Sequence, residues 1–454
     1  MKGVLISLVL FVCLATSNAQ QVVEKDREVV FKSVNVIPMD REQVLQNQVV
    51  VMKNGKIQSV SDPKKAKYRK NALVIDAAGR YLMPGLAEMH AHVPPIGDLE
   101  PMKDVLRLFA ANGVTTIRGM LGHPKHLELR TMINNGELIS PRFYTSGPAL
   151  HGESVKTQDD AVRMVKEEKQ AGYDFLKILP GLTKDNFDAM TRTAHEENIP
   201  FAGHVSYQVG LWKAIEAKQQ TIDHMDAFIE GLVPGIEKIS EDETGLFGMF
   251  IADKADTTRI PKLMKALRDN NVWVVPTQAL ADRWFTPERT AESFRGDPEM
   301  KYMDSKTLDN WVKAKTNLES DPKYEKEKLA NYIKLRRKLI YECNRNGVGL
   351  LLGSDAPQIF NVPGMSTHHE LQYLVDAGLT PYEALKTGTI NVGVFYNKPE
   401  MGVIRQGANA DVVLLNGNPL ENIANTQKIQ GVLVGNKWLD RASLDDILKK
   451  LEKN

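Results

Sequence analysis

The chain has 454 residues, 42% of them hydrophobic and 25% charged, with 58 Lys+Arg against 57 Asp+Glu. This balance excludes a disordered chain, a coiled coil and a phosphate-tracking surface. The length fits either one barrel-sized domain with an extra module or two to three smaller domains.

Residues 1–19 read as an export signal rather than as structure. Lys2 precedes an apolar run at 4–14, which at about eleven residues is too short to span a bilayer. Ser17 and Ala19 are small residues in the positions that suit cleavage after Ala19. A lipid anchor through Cys13 conflicts with the bulky Leu10-Phe11-Val12 before it. Cleavage removes Lys2 and Cys13, leaving Cys343 as the single cysteine, so no intramolecular disulfide forms in the mature chain. The expected location is periplasmic or secreted. No later apolar run approaches the length of a membrane span.

Residues 29–60 alternate as short strands, and Asn54-Gly55 between two β-rich runs marks a hairpin. The same texture returns at 410–420 and 428–439. Chain ends commonly lie close together, so 20–82 and 401–454 are expected to form one composite β-sandwich, with a helix at the C-terminus. Between them the pattern alternates strand and helix. Strands are expected at 81–92, 113–120, 142–149, 175–180, 200–206, 221–225, 272–278 and 348–355. Eight apolar strands with intervening helices over 83–400 predict an α/β fold of the (β/α)8 type, a TIM barrel. A doubly wound sheet is the alternative, but no Gly-rich phosphate loop follows any of these strands. The stretch 279–346 is too long for an ordinary connection and reads as a helical insertion, either a lid over one barrel mouth or a solvated outer helix pair.

In such a barrel the catalytic groups project from the C-terminal ends of several strands. Polar residues at those ends form a consistent set. His90 and His92, two apart, point to one face of their strand. Lys177 stands between apolar neighbours in FLKIL. His204 ends FAGHVS, His224 ends TIDHM, and Asp355 ends LLLGSDAP. Each alone has an ordinary reading, as a hydrogen-bonded core histidine, a helix cap or a snorkelling lysine. Together, imidazoles and a carboxylate suit a zinc-like divalent ion with an open coordination position. Lys177 needs its own account. An ammonium beside a dication is repelled, whereas a neutral amine reacts with carbon dioxide to give a carbamate able to bridge two metals about 3.5–4 Å apart. His151 and Tyr207, just past strand ends, are candidates for orienting substrate.

The stretches MPGLAEMHAH, NGVTTIRGM, GYDFLKIL, GHVS, IDHM, GSDAP, AGLTPYEALKTGTINVGV and GANADVVLLNGNPLENI together resemble the amidohydrolase superfamily. The similar branch holds imidazolonepropionase-like proteins and Xaa-Pro or Xaa-Arg dipeptidases. The resemblance implies a barrel plus a composite β-sandwich. It also implies His90, His92 and Asp355 on one metal and His204 and His224 on the other, with Lys177 bridging as N6-carboxylysine. The chain departs from the family pattern at Glu88 and Gly119, where relatives often have Asp. It also departs in SGPALHGES, where many carry a Gly-Gly-His loop and His151 substitutes.

The expected function is therefore an exported hydrolase with two divalent ions, zinc, that cleaves C–N bonds of small amides. A dipeptidase or N-acyl amino acid hydrolase leads, with Asp355 moving the proton between water and the departing nitrogen. The alternatives are a cyclic-amide hydrolase of imidazolonepropionase type, a lactam or ester hydrolase, and an inactive binding relative. The expected partner is a small molecule. Charge and motifs give no support for nucleic acid, and the oligomeric state is left open, a homo-oligomer included.

Overall fold

The computed structural model describes residues 21–22 and 26–453, so the export signal expected at 1–19 lies outside the described residues. Among the described residues no helix is long and apolar enough to cross a membrane.

The two ends of the chain meet in one sheet. Its nine strands run in the order 21–22, 437–440, 429–434, 412–415, 81–84, 29–36, 45–53 and 56–61, with 73–76 paired to 29–36. The hairpin between 45–53 and 56–61 turns at Asn54 (φ 50°) and Gly55 (φ 72°), the left-handed pair that a two-residue turn requires. Strand 81–84 pairs antiparallel with 412–415, Tyr81 opposite Leu415 and Pro84 opposite Val412. Beneath this sheet Phe31 meets the edge of Trp438 at 5.2 Å, among Val34, Val36, Leu414 and Leu433. Each such side chain taken from water contributes about 1.5–3 kcal/mol.

The single strand expected at 81–92 is two. Residues 81–84 belong to the composite sheet, while Leu86–Ala91 pairs parallel with Val114–Gly119. The break falls at Gly85, where a Cβ would lie 2.2 Å from two Thr115 side-chain atoms. A backbone that must pass this close to its neighbour switches sheets most easily at glycine. The chain thus changes sheets at Gly85, just past the expected boundary between 82 and 83.

Seven short parallel strands follow the predicted alternation with helices. Leu86–Ala91, Val114–Gly119 and Arg142–Thr145 form one sheet; Leu176–Ile178, Phe201–Gly203, Thr221–Asp223 and Trp273–Val275 form another. Parallel bridges Ser146–Phe175 and Leu150–Ile178 join them. The eighth expected strand, 348–355, is extended chain with a single bridge, Leu350 to Val274. It bonds on both sides at single points: Leu351 N–H donates to Val274 O (2.9 Å) and Met89 N–H to Leu352 O (2.7 Å). Gly353 allows this approach, since a Cβ there would stand 2.9 Å from His90 N.

Helix boundaries follow local chemistry. Gln158–Ala171 starts in a Thr157/Asp160 capping box and ends at Gly172 (φ 86°). The insertion is helical, with Gln278–Trp284, Ala291–Arg295, Ser305–Glu319 and Lys326–Arg345. Leu329, Leu339, Ile340 and Cys343 of its last helix are fully buried, so that helix is part of the core. Burial also pushes the Cys343 thiol far up, which makes it inert packing.

Candidate active site

Parallel pairing puts Lys177 opposite Ala202 and Ile222 opposite Val274, so the residues that follow each strand converge at one end of the sheet. There His90, His92, His204, His224, Lys177 and Asp355 gather. The ring of His90 lies 4.4 Å from that of His224 and 5.4 Å from that of His92, and His204 lies 4.6 Å from His224. Asp355 Oδ1 stands 2.7 Å from His92 Nε2 and 3.2 Å from His90 Nε2. His90, His92 and Asp355 each offer a ligand atom, all within 4.8 Å of one another, a group able to hold a metal ion.

Two of these residues occupy left-handed backbone conformations, His224 at φ 61° and Asp355 at φ 66°. A non-glycine residue held there costs about 1–3 kcal/mol and persists only where its surroundings fix it. They do. His224 N–H donates to Val275 O, Asp355 N–H to His90 O, and Arg336 Nη1 donates to His224 O at 2.6 Å.

The imidazoles are aimed by partners on their far sides. His204 Nδ1 meets Asp226 Oδ2 at 3.0 Å, and His224 Nδ1 meets Thr277 Oγ1 at 2.9 Å. Behind His90 runs a relay: Arg118 donates to Thr221 Oγ1, and the Thr221 hydroxyl donates to Asp223 Oδ1 at 2.7 Å. Asp223 Oδ2 is then left 3.0 Å from His90 Nδ1. Second-layer partners of this kind fix which ring nitrogen faces a metal. Glu88 accepts from Ser354 N (2.6 Å), Ser354 Oγ (2.8 Å) and Thr367 Oγ1 (2.8 Å), tying strand 86–91 to the Asp355 turn. The longer side chain that replaces the family's Asp is thus a brace.

Burial dominates the electrostatics. It drives the pKa values of His92, His204 and His224 down, and brings Lys177 down to about 8 against the pull of Asp223 and Asp355. Burial and Lys177 both oppose a proton on His90, but Asp355 and Asp223 outweigh them and raise it. The Asp355 and Asp223 carboxyls, despite burial, are held far below the usual carboxylate range, Asp355 by His90, His92 and His224, Asp223 chiefly by His90.

Whether these donors suit a metal is answered by what they leave unpaired. Both ring nitrogens of His90, Lys177 Nζ and Asp223 Oδ2 are buried without a hydrogen-bond partner; the His90–Asp223 and His90–Asp355 approaches are close but not aligned as hydrogen bonds. Buried polar atoms without partners are rare in folded proteins. His90 Nδ1 and Asp223 Oδ2 face each other at 3.0 Å, which leaves His90 Nε2 and Lys177 Nζ, among imidazoles and the Asp355 carboxylate, as donors that fit divalent-ion binding.

Beside the cluster opens a cavity of about 1270 Å³, lined at its inner edge by His204 and Asp226. Its walls come mainly from residues 205–250, with Pro180, Lys184 and Arg259, and from Trp284, Ala314, Asn317, Leu318 and Asp321 of the insertion. Phe247, at φ 55°, stacks on His224 at 5.2 Å between the histidines and the cavity.

The two expected substrate-orienting residues are held by local hydrogen bonds. His151 Nδ1 accepts from Glu153 N at 3.2 Å inside its own turn, and His151 does not line the cavity. Tyr207 lines the cavity, yet its hydroxyl is bound to the carbonyls of Ile236 and Ile239. Asp223 and Asp226 went unremarked in the sequence although both flank His224; a carboxylate on either side of a strand-end histidine was the available signal. Thr277 and Arg336 carried none.

A family model described as "Amidohydrolase family" matches residues 81–439. The chain belongs to the amidohydrolase family. It is accordingly a hydrolase of carbon–nitrogen bonds, and the family generally uses divalent metals. An ochratoxinase of Aspergillus niger is 24% identical over 380 residues, covering 77% of this chain and 73% of that protein. Among solved structures, a bottromycin amidohydrolase superposes with a TM-score of 0.72 at 22% identity, covering 95% of this chain and 91% of the other. A Xaa-Pro dipeptidase with methionine bound in its active site gives 0.67 at 17% identity, covering 91% and 100%. These likenesses imply a TIM barrel with a β-sandwich, in keeping with the α/β content of the chain.

Proposed function

We propose that this amidohydrolase cleaves the amide bond of a small substrate, a dipeptide or an N-acyl amino acid, at two zinc-like divalent ions. In this reading His90, His92 and Asp355 would hold one ion and His204 and His224 the other. Lys177, whose neutral amine would add carbon dioxide and release a proton to give a carbamate, would offer an anionic oxygen donor to both ions. The observation that carries the reading is the pair of buried, unpartnered donor atoms His90 Nε2 and Lys177 Nζ beside the His90–His92–Asp355 group, next to a cavity large enough for a dipeptide. The likeness to an ochratoxinase and a Xaa-Pro dipeptidase supports the choice of an amide with an amino-acid part.

A divalent ion bound there supplies Lewis-acid polarisation of the amide carbonyl and a lowered pKa for water. The protein's own groups do the rest. Asp355 accepts the proton of the attacking water and delivers it to the departing nitrogen, which must leave as an amine rather than as its anion. Asp226 and Thr277 keep His204 and His224 turned to the reaction centre. Phe247 and Trp284 face the cavity with apolar surface and limit water around the scissile bond.

The reading extends to the whole chain. Residues 1–19 direct export and are removed. Residues 86–275 and 348–355 make a closed eight-stranded barrel. Residues 26–84 and 401–453 make the composite β module beside it. The test is a substrate panel: residues 20–454, loaded with zinc and bicarbonate, are assayed on dipeptides and N-acyl amino acids for release of free amino acid. Release that disappears in Asp355→Asn is expected. No release by protein holding two metals would remove dipeptides and acyl amino acids as substrates and point to cyclic amides.

A further inference from the structure

The cavity beside His204 and Asp226 has a mixed lining. Trp212, Phe247, Met249 and Trp284 make it apolar and aromatic, while Asp226, Glu230, Glu237 and Glu241 make it acidic. Of its cations, Lys213 is paired with Asp188 (2.5 Å) and Arg259 with Asp256 (3.4 Å), carboxylates outside the lining. Lys184 remains. The wall is therefore short of positive charge.

Glu230 is the carboxylate that stands out. It lies on the short helix Phe228–Leu232, directly after the turn that carries His224 and Asp226. Its Oε2 is buried without a hydrogen-bond partner, tucked where a Cβ on Gly248 would stand 2.9 Å away. Other buried glutamates are braced: Glu88 by Ser354 and Thr367, Glu370 by the N–H groups of Gln278 and Ala279. Glu168 is also unpartnered, but it packs against Gly147 and does not line the cavity. Burial, with Asp226 nearby, raises the Glu230 pKa to about 8. A buried carboxyl in this state costs free energy that an arriving cation recovers.

We propose that Glu230 anchors a protonated nitrogen of the substrate, so that the preferred amides carry an ammonium or guanidinium group close to the scissile bond and an apolar portion against Phe247 and Trp284. This rests on the reading of the chain as an amide hydrolase. The nitrogen has two chemical sources, a free α-amino group or a basic side chain, and paired probes separate them.

The experiment measures kcat and KM of metal-loaded wild type, Glu230→Gln and Glu230→Asp on matched amides. One pair differs in the side chain, lysine against norleucine; the other differs in a free against an acetylated α-amino group. In the wild type one pair favours the charged member by at least about tenfold in kcat/KM, mainly through KM, as a charge-assisted hydrogen bond requires. Glu230→Gln reduces that ratio to near one, and Glu230→Asp keeps more of it. The pair that responds identifies the nitrogen. Ratios in both pairs that do not change in a folded Glu230→Gln protein overturn the proposal. Calorimetry with lysinamide, norleucinamide and N-acetylnorleucinamide repeats the comparison without turnover. A charge preference lost in Glu230→Gln supports the anchor even if no amide is cleaved, in which case amide hydrolysis alone fails. Equal binding of all three probes by the wild type overturns the anchor.

Discussion

Asp355 is the residue on which most of the site depends, and its surroundings explain why it remains a carboxylate. Three histidines hold its pKa down despite full burial, and its left-handed backbone is tied to His90 through Asp355 N–H. Asp355→Asn keeps the shape and removes the proposed proton acceptor. The expected result is a folded protein with a rate at least about 100-fold lower, measured on whichever substrate the panel yields. Unchanged turnover would place the proton transfer elsewhere. Asp226 acts one step back, through His204 Nδ1. Asp226→Asn is expected to weaken metal binding about 10–100-fold, read by competition with a chelator. Unaltered affinity would reduce Asp226 to a hydrogen-bond acceptor for Val205 N–H.

Among elements, the helix Lys326–Arg345 links the insertion to the site. Its Arg336 donates to His224 O (2.6 Å), Pro276 O (2.7 Å) and Gln278 Oε1 (3.0 Å) while remaining buried. Arg336→Met leaves these acceptors without a donor, at an expected cost of at least about 3 kcal/mol, seen as a lower denaturant midpoint with activity falling in step. Arg336→Lys keeps the charge but not the planar fork and is expected to recover only part of it. A midpoint unaffected by Arg336→Met would contradict the role. The same helix shows what the sequence could and could not disclose. Its charge run announced a helix, but a lone arginine facing inward looks no different from its solvated neighbours. The strand-end histidines were visible because each closes a short apolar run, and the Asn54-Gly55 hairpin because its φ values demand those residues. The break at Gly85 was hidden, since two strands in different sheets read as one continuous apolar run. The segment 348–355 likewise has strand character but bonds to each neighbour only in places. The cavity wall at 233–250 is a run of short helical turns with no periodicity to read, and Glu230, on the five-residue helix just before it, went unnoticed.

At the scale of the whole molecule, stability should depend on pH through buried histidines outside the active site. His368 is enclosed by Thr426 Oγ1 (2.9 Å) and Asn112 O (3.0 Å), and burial lowers its pKa from 6.5 to about 4. A depressed folded-state pKa means that the unfolded chain binds the proton first. The contribution is therefore complete above pH 6.5 and lost as pH falls through about 4. The loss is about 3 kcal/mol, and His368→Asn is expected to flatten the stability profile across that window. Identical profiles for variant and wild type would show that His368 takes up its proton without cost to the fold.

The central claim, a metal-dependent amide hydrolase, is tested most directly by following metal content and amide cleavage on the same sample. Protein stripped by a chelator should lose both, and zinc with bicarbonate should restore both together, saturating near two ions per chain. Full cleavage by protein that holds no metal would contradict the account.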